Sequence, residues 1–261
     1  MTRVVARFAV AVMAAVVVSA CAKGGGAAGA TAYKDGAYRG AYSNVDGHGW
    51  KPQLEIVVEK GRITRVNYDE VNPSGQLKSA DASYEQAMKA ASPTYPAKYV
   101  KALDAALLAK QKAPVDAVSG ATGSSDSFNA LAAALLAEAG TGDRTAVVLP
   151  MNATYSAEDK PDERGWTGSI GVTYADGRIS AVVYDEVKKA AGKVTARKTE
   201  DQAYADGWKK ATGNTPKDVY QKLAAALVAK QDPAAVDAIS GATGTTQRFK
   251  AVAAAAAARR Q

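Results

Sequence analysis

Cysteine and histidine are almost absent from these 261 residues: Cys21 and His48 are the only ones. A single cysteine excludes an intrachain disulfide, a thiolate metal cluster and ordinary haem attachment. A single histidine argues against a Ser-His-Asp triad or a His-rich metal site, so no metal site is expected. Redox chemistry, if the chain performs any, therefore requires an organic cofactor. Phenylalanine is also scarce, with 3 residues against 12 tyrosines. The 47% apolar fraction is mostly Ala and Val, so the core should be built from small and medium side chains with tyrosine supplying bulk. The formal charge is +7, but the Lys and Arg residues are scattered rather than gathered in a basic stripe. No nucleic-acid partner is expected from that pattern.

Residues 1–20 read as an export signal. Arg3 and Arg7 form a positive start, and Phe8 to Val18 (FAVAVMAAVVV) is an apolar stretch of signal-peptide length, short for a membrane span. It ends in VSAC, which resembles a bacterial lipobox. Cys21 is then the lipidation site, and residues 21–32, rich in Gly and Ala, are a flexible tether with no core-forming residues. The expected location is the extracytoplasmic face of a cell membrane, held by lipid.

The remainder repeats itself. GRITRVNYDEV at 61–71 returns as GRISAVVYDEV at 177–187, YVKALDAALLAKQ at 99–111 as VYQKLAAALVAKQ at 219–231, and VDAVSGATGSS at 115–125 as VDAISGATGTT at 236–246. The Gly-Trp pair at 49–50 recurs at 165–166. Two homologous domains follow, 33–142 and 145–261, joined near AGTGDRT at 139–145. Each has strands around a Lys-Gly or Asp-Gly turn, which predicts a β-hairpin. Helical spacing follows: Tyr99, Leu103, Leu107 and Leu108 in one copy; Tyr220, Leu223, Leu227 and Val228 in the other. A helix is predicted over 80–91 and over 201–211, and an Ala-rich one from near Ser125 and Thr246. Arg259 and Arg260 suit the C-terminal end of the second of these. The fold class is α+β, each repeat an antiparallel hairpin or sheet packed with helices.

Between the last two helices of each copy lies the loop Asp116 to Ser125, matched by Asp237 to Thr246. Gly120 and Gly123 permit a tight turn, and Ser124, Ser125, Thr245 and Thr246 are good helix caps. The loop delivers Thr122 and Thr243 to a helix N-terminus, a place favourable to phosphate. Turn chemistry alone leaves open a second reading, a glycine turn that starts a helix and binds nothing.

These segments resemble the FMN-binding domains of the C subunit of the sodium-pumping NADH:quinone reductase and its ion-pumping ferredoxin-reductase relatives. In that family an FAD:protein FMN transferase esterifies FMN to the last residue of a D-x-x-S/T-G-A-T/S motif. The resemblance implies Asp116, Ser119, Gly120, Ala121 and Thr122 in the first copy, and Asp237, Ser240, Gly241, Ala242 and Thr243 in the second, with hydroxyls two positions on at Ser124 and Thr245. It implies two FMN groups held by phosphoester bonds on Thr122 and Thr243. The tandem arrangement behind a lipobox resembles flavinylated lipoproteins of extracellular electron transfer. The implied function is a lipid-anchored electron carrier. It would take electrons from a membrane donor, such as an NADH dehydrogenase or the quinol pool, and pass them to an extracytoplasmic acceptor. A carrier is favoured over a self-sufficient enzyme, since no obvious catalytic acid or base accompanies the motif. The alternatives are a flavin-binding sensor or scaffold without redox turnover, and the flavin subunit of an extracytoplasmic reductase. Trp50, Trp166, Tyr68 and Tyr184 could stack on a flavin ring or belong to the core. Asp69, Glu70, Asp185 and Glu186 read equally as contacts to the flavin or to the modifying enzyme, or as solvated strand ends. Ser79 is a plausible helix cap, and His48 is read as a surface turn residue without a role.

Overall fold

A computed structural model describes residues 33–261. The export signal, Cys21 and the tether lie outside the described residues.

The strands expected around the Lys-Gly and Asp-Gly turns are present. In the first repeat β1 (Gly36–Tyr42), β2 (Lys51–Glu59) and β3 (Arg62–Val71) form an antiparallel sheet. Lys60 and Gly61 both take positive φ, 52° and 74°, at the β2–β3 turn. Asp176 and Gly177 do the same at 50° and 78° in the second repeat. Two consecutive left-handed residues give the turn a twist that matches its flanking strands. Along β2, Pro52, Leu54, Ile56 and Val58 are buried while their neighbours are half-exposed, the alternation of a sheet with one covered face.

Three helices follow: α1 (Ala82–Ala91), α2 (Pro96–Lys110) and α3 (Thr122–Thr141). Pro96 opens α2, where its missing N–H costs nothing. Tyr99, Leu103 and Leu107 are buried on the face predicted for them. Gln111 ends α2 in the left-handed conformation, φ 58°. Its amide accepts from Ile63 N at 2.8 Å and donates to Ile63 O at 3.0 Å, so it fixes the helix end to the start of β3. Gln231 repeats this with Ile179 at 2.7 and 2.8 Å. The AKQ ending shared by both copies thus serves as a helix-to-strand clasp.

Beyond α3 the chain departs from a simple duplication. Gly142 ends the helix at φ 87°, and β4 (Val147–Leu149) then pairs in parallel with β1. The first sheet, ordered β3-β2-β1-β4, therefore takes its edge strand from beyond the joint placed at 139–145 by sequence. The second sheet is β5 (Ala153–Glu158), β6 (Thr167–Ala175), β7 (Arg178–Ala190) and β8 (Lys193–Arg197), all antiparallel. Its helices are α4 (Gln202–Thr212), α5 (Pro216–Lys230) and α6 (Thr243–Ala258). Each repeat buries its own apolar cluster, one around Tyr38, Tyr68, Tyr99 and Phe128, the other around Tyr155, Tyr184, Tyr220 and Phe249.

The repeats also touch. Tyr155 donates its hydroxyl to Val45 O, Asn44 donates to Arg260 O at 2.9 Å, and the Arg260 guanidinium lies 3.7 Å from the Tyr174 ring centre. Gly47 sits so near β5 that a Cβ there would fall 2.5 Å from Thr154 O. The turn between β1 and β2 thus covers the edge of the second sheet, where unpaired backbone would invite pairing with other chains.

One repeat carries a half-buried acid the other lacks. Asp104 on α2 accepts from Tyr68 N at 3.2 Å, and its counterpart on α5 is Ala224. Burial raises its pKa to about 7 despite that hydrogen bond. An acid whose folded pKa lies above its unfolded value of 3.8 binds more protons folded than unfolded. Its contribution is complete at low pH and is lost as pH rises through about 7. Urea unfolding of wild type and Asp104→Asn across pH 4–8 is expected to show wild type losing stability with rising pH relative to the variant.

Candidate functional site

The SGATG loop is held from inside by one hydroxyl. Ser125, fully buried, donates to Ala121 O at 2.9 Å and accepts from Val118 N at 3.0 Å. Thr246 makes the same pair of bonds to Ala242 O and Ile239 N, at 3.0 and 3.3 Å. Ala121 N closes a turn on Val118 O, with Gly120 at φ 79°. That left-handed third position is what a type II turn requires. A Cβ at Gly120 would fall 2.2 Å from Ser92 Oγ, and one at Gly241 2.8 Å from Thr212 Cβ. The two glycines are therefore fixed by both backbone and space.

The helices begin earlier than their sequence predicts. α3 starts at Thr122 and α6 at Thr243, with Ala121 and Ala242 in the cap positions and no side-chain cap. Ser124, Ser125, Thr245 and Thr246 are thus not caps but first-turn residues, and Ser125 and Thr246 turn inward as staples. The first N–H of α3 to find a helical acceptor is that of Ser125, on Ala121 O. Those of Thr122, Gly123 and Ser124 have no intrahelical partner, and the helix dipole adds partial positive charge there. Thr122 and Thr243 are both exposed. An exposed hydroxyl thus stands at an uncapped helix N-terminus in each repeat.

The other motif residues stand around it. Ser119 and Ser240 are exposed, while Ala121 and Ala242 are buried beneath the loop. Ser92 donates to Gly120 O at 3.3 Å, Asn214 to Ser240 O at 3.0 Å, and Trp208 Nε1 to Gly241 O at 3.3 Å. Asp116 and Asp237 point into solvent, and Asp237 pairs with Lys230 at 2.5 Å.

Beside Thr122 lies a groove of about 210 Å³. Gly123, Ser124 and Ser127 form its α3 side, with Asp46, His48 and Pro52 opposite and Tyr84, Met88 and Tyr99 supplying apolar wall. Its floor is an ion pair. Glu70, 2% exposed, meets the Lys78 ammonium at 2.6 Å and accepts from Tyr99 Oη at 3.0 Å. Burial alone would lower the Lys78 pKa, but the Glu70 charge outweighs it and holds it up. Burial and then the Glu70 charge push the Tyr99 phenol far above its ordinary range. The second repeat keeps the ion pair, Glu186 with Lys198 at 2.5 Å, but its cavity of about 280 Å³ is lined by Asp162, Gly244, Thr245 and Arg248 and has no aromatic wall.

Several expectations change here. The YDEV carboxylates are not solvated strand ends: Asp69, Glu70, Asp185 and Glu186 are all buried. Ser79 caps no helix; it donates to Asp69 Oδ2, while Asp81 caps α1 by accepting from Tyr84 N. Tyr68 and Tyr184 belong to the core, and Trp50 and Trp166 pack under Lys78 and Lys198. His48 lines the groove. Lys78, Tyr84 and Met88 were missed, although Lys-Ser/Thr-x-Asp and the helix tyrosine recur in both copies. Trp208, where the first repeat has Met88, was missed as well.

Fold and site define a class: a duplicated α+β domain that presents a threonine hydroxyl at an uncapped helix end, beside a polar groove that has aromatic walls in the first repeat. The FMN-binding domain family matches residues 47–137, which include Thr122 and its groove. A 15 kDa lipoprotein of Treponema pallidum is 40% identical over 124 residues, 47% of this chain and 88% of that protein. The chain therefore belongs to the FMN-binding domain family. Among solved structures, a Clostridium perfringens protein is 36% identical, covering 46% of this chain and 98% of its own, with a TM-score of 0.45. A Clostridium thermocellum protein is 25% identical over 40% of this chain and 88% of its own, with a TM-score of 0.29.

The first site suits FMN on its own chemistry: free N–H groups and a hydroxyl for the phosphate, and a partly apolar groove ending in hydrogen-bonding groups for the ring. Gly120→Ala is expected to cost about 1–3 kcal/mol through backbone strain alone, read by urea denaturation. Lys78→Ala strands the buried Glu70 and is expected to cost about 3–5 kcal/mol. Removing Arg65 from its exposed pair with Glu55 should cost under about 1 kcal/mol.

Proposed function

We propose that this chain is an exported, lipid-anchored electron carrier that holds one FMN covalently on Thr122 and a second on Thr243. The observation that carries the reading is the exposed threonine hydroxyl at an uncapped helix N-terminus, made the same way in both repeats. Attachment forms a bond between the threonine oxygen and the FMN phosphorus of FAD. It breaks the FAD pyrophosphate, AMP leaves, and the hydroxyl proton passes to a base on the FMN transferase. The exposed Asp116, Ser119, Asp237 and Ser240 are the surface that enzyme would read.

Bound FMN supplies reversible uptake of two electrons from a donor such as a membrane NADH dehydrogenase or quinol. The chain's own residues provide position and electrostatics. Ser125 and Thr246 hold the loop, the unpaired N–H groups face the phosphate, and the Glu70–Lys78 and Glu186–Lys198 pairs form the floors. A covalent bond keeps the cofactor from being lost outside the cytoplasm. Lipid on Cys21 is consistent with the lipoprotein name of the Treponema relative. Among the described residues no helix is long and apolar enough to cross a membrane.

Intact mass of protein co-expressed with an FMN transferase tests the assignment. The expected result is a gain of two FMN groups, with one lost in Thr122→Ala and one in Thr243→Ala. A folded but unmodified chain beside an active transferase would refute it.

A further inference from the structure

The two grooves differ in what crosses them. The strand registers align Tyr42 with Asp159 and Pro52 with Gly168, and the helices align Ser127 with Arg248 and Met88 with Trp208. In the first repeat the small Ser127 lies beside the Tyr42 hydroxyl. It leaves open the space between α3 and the opposite wall of Asp46, Pro52 and Glu70. In the second, the Arg248 side chain runs from α6 across that space. Its Nε meets Asp159 Oδ2 at 2.5 Å, and Nη1 meets Asp162 Oδ2 and Glu186 Oε2, both at 3.1 Å. Nη2 donates to Trp166 O at 2.7 Å and to Lys160 O at 3.4 Å. Asp162 and Glu186 are the counterparts of Asp46 and Glu70, so the guanidinium is bonded to the wall that faces open groove in the first repeat. Gly168 makes the room: a Cβ there would already lie 3.2 Å from Arg248 Cγ and Cδ.

The crossing is fixed. All five guanidinium donors are used, which holds the group in one orientation. Moving it aside to admit a ring would take the guanidinium from Asp159, Asp162 and the buried Glu186, and charges left without their partner resist such a change. Exchange of Tyr42 and Ser127 for Asp159 and Arg248 adds one charge of each sign, so it alters space rather than net charge. What stays open in the second repeat is bounded by Asp162, Glu186, Lys198, Gly244, Thr245 and Arg248, and Thr243 does not border it. Tyr84, Met88 and Tyr99 wall the first groove, but their counterparts Tyr204, Trp208 and Tyr220 do not border the second cavity. Trp208 packs on the second core instead and donates to Gly241 O at 3.3 Å. A largely apolar ring therefore finds walls in the first repeat and none in the second. Thr243 itself is still exposed at its helix start, within reach of a modifying enzyme.

We propose that Arg248 bars the flavin ring from the second groove, so that the FMN on Thr122 is enclosed while the FMN on Thr243 stands in solvent, open to collision with a partner. The proposal rests on the reading of both threonines as flavin attachment sites.

Single-site proteins compare the two flavins. Thr122→Ala keeps only the second and Thr243→Ala only the first, each confirmed by intact mass after co-expression with an FMN transferase. Quenching of the flavin fluorescence lifetime by acrylamide, which carries no charge, reports exposure of the ring. Because a binding groove covers about 70% or more of its ligand, the Thr243 flavin is expected to be quenched about threefold more strongly than the Thr122 flavin. It should be quenched as strongly as free FMN. Arg248→Ser together with Asp159→Tyr, in the Thr122→Ala background, restores the first repeat's own pair and opens the second groove. Quenching should then fall towards that of the Thr122 flavin. Equal quenching in the two single-site proteins overturns the role of Arg248 whatever the variant does. A folded variant whose flavin stays as exposed as before overturns it too, and both results leave attachment intact. A second site that carries no FMN overturns the attachment reading there, and this inference with it.

Discussion

The buried hydroxyl of Ser125, and of Thr246 in the second copy, is the contact on which the site depends. It joins the last residues before the turn to the first turn of the helix. With that staple in place Gly120 or Gly241 must be left-handed, the alanine beyond it is driven into the core, and the threonine is left exposed. The helix then starts without a side-chain cap, which leaves its first N–H groups for an anion. The hydroxyl that would ordinarily serve as a cap has been turned inward to shape the loop.

Duplication makes the parts that hold the loop easy to separate from those that tune it. The Gln111 and Gln231 clasps, the staples and the Glu–Lys floors occur in both copies with nearly the same distances. The walls do not: Met88 becomes Trp208, and Ser127 with Tyr42 becomes Arg248 with Asp159. A floor of buried, paired charge is costly to break and was kept. The wall tolerates exchange provided that neighbours change with it, as Gly168 shows by making room for Arg248.

Much of this was legible in the sequence. The repeat, the hairpin turns, the apolar faces of α2 and α5 and the SGAT loop all carry short-range signals of spacing or turn chemistry. The first and last strands of each sheet carried weaker ones. β1 is Gly- and Ala-rich, β4 is three residues long, and β4 joins a sheet whose other strands end far earlier in the chain. Glu70 and Glu186 looked solvated because charge is normally outside, and their partners Lys78 and Lys198 lie across a turn of different length in each copy. Ser125 and Thr246 looked like caps because their residue types favour caps. Only the positions of Val118, Ala121, Ile239 and Ala242 show that they bond backward instead.

The central claim is that the threonine oxygens at these two helix ends form phosphate diesters with FMN. Phosphorus NMR of the purified holoprotein between pH 5 and 8 tests it most directly. A diester has no second ionisation, so two resonances with pH-independent shifts are expected. A free or non-covalently bound phosphate monoester titrates with a pKa near about 6. Resonances that move through that range would contradict covalent attachment.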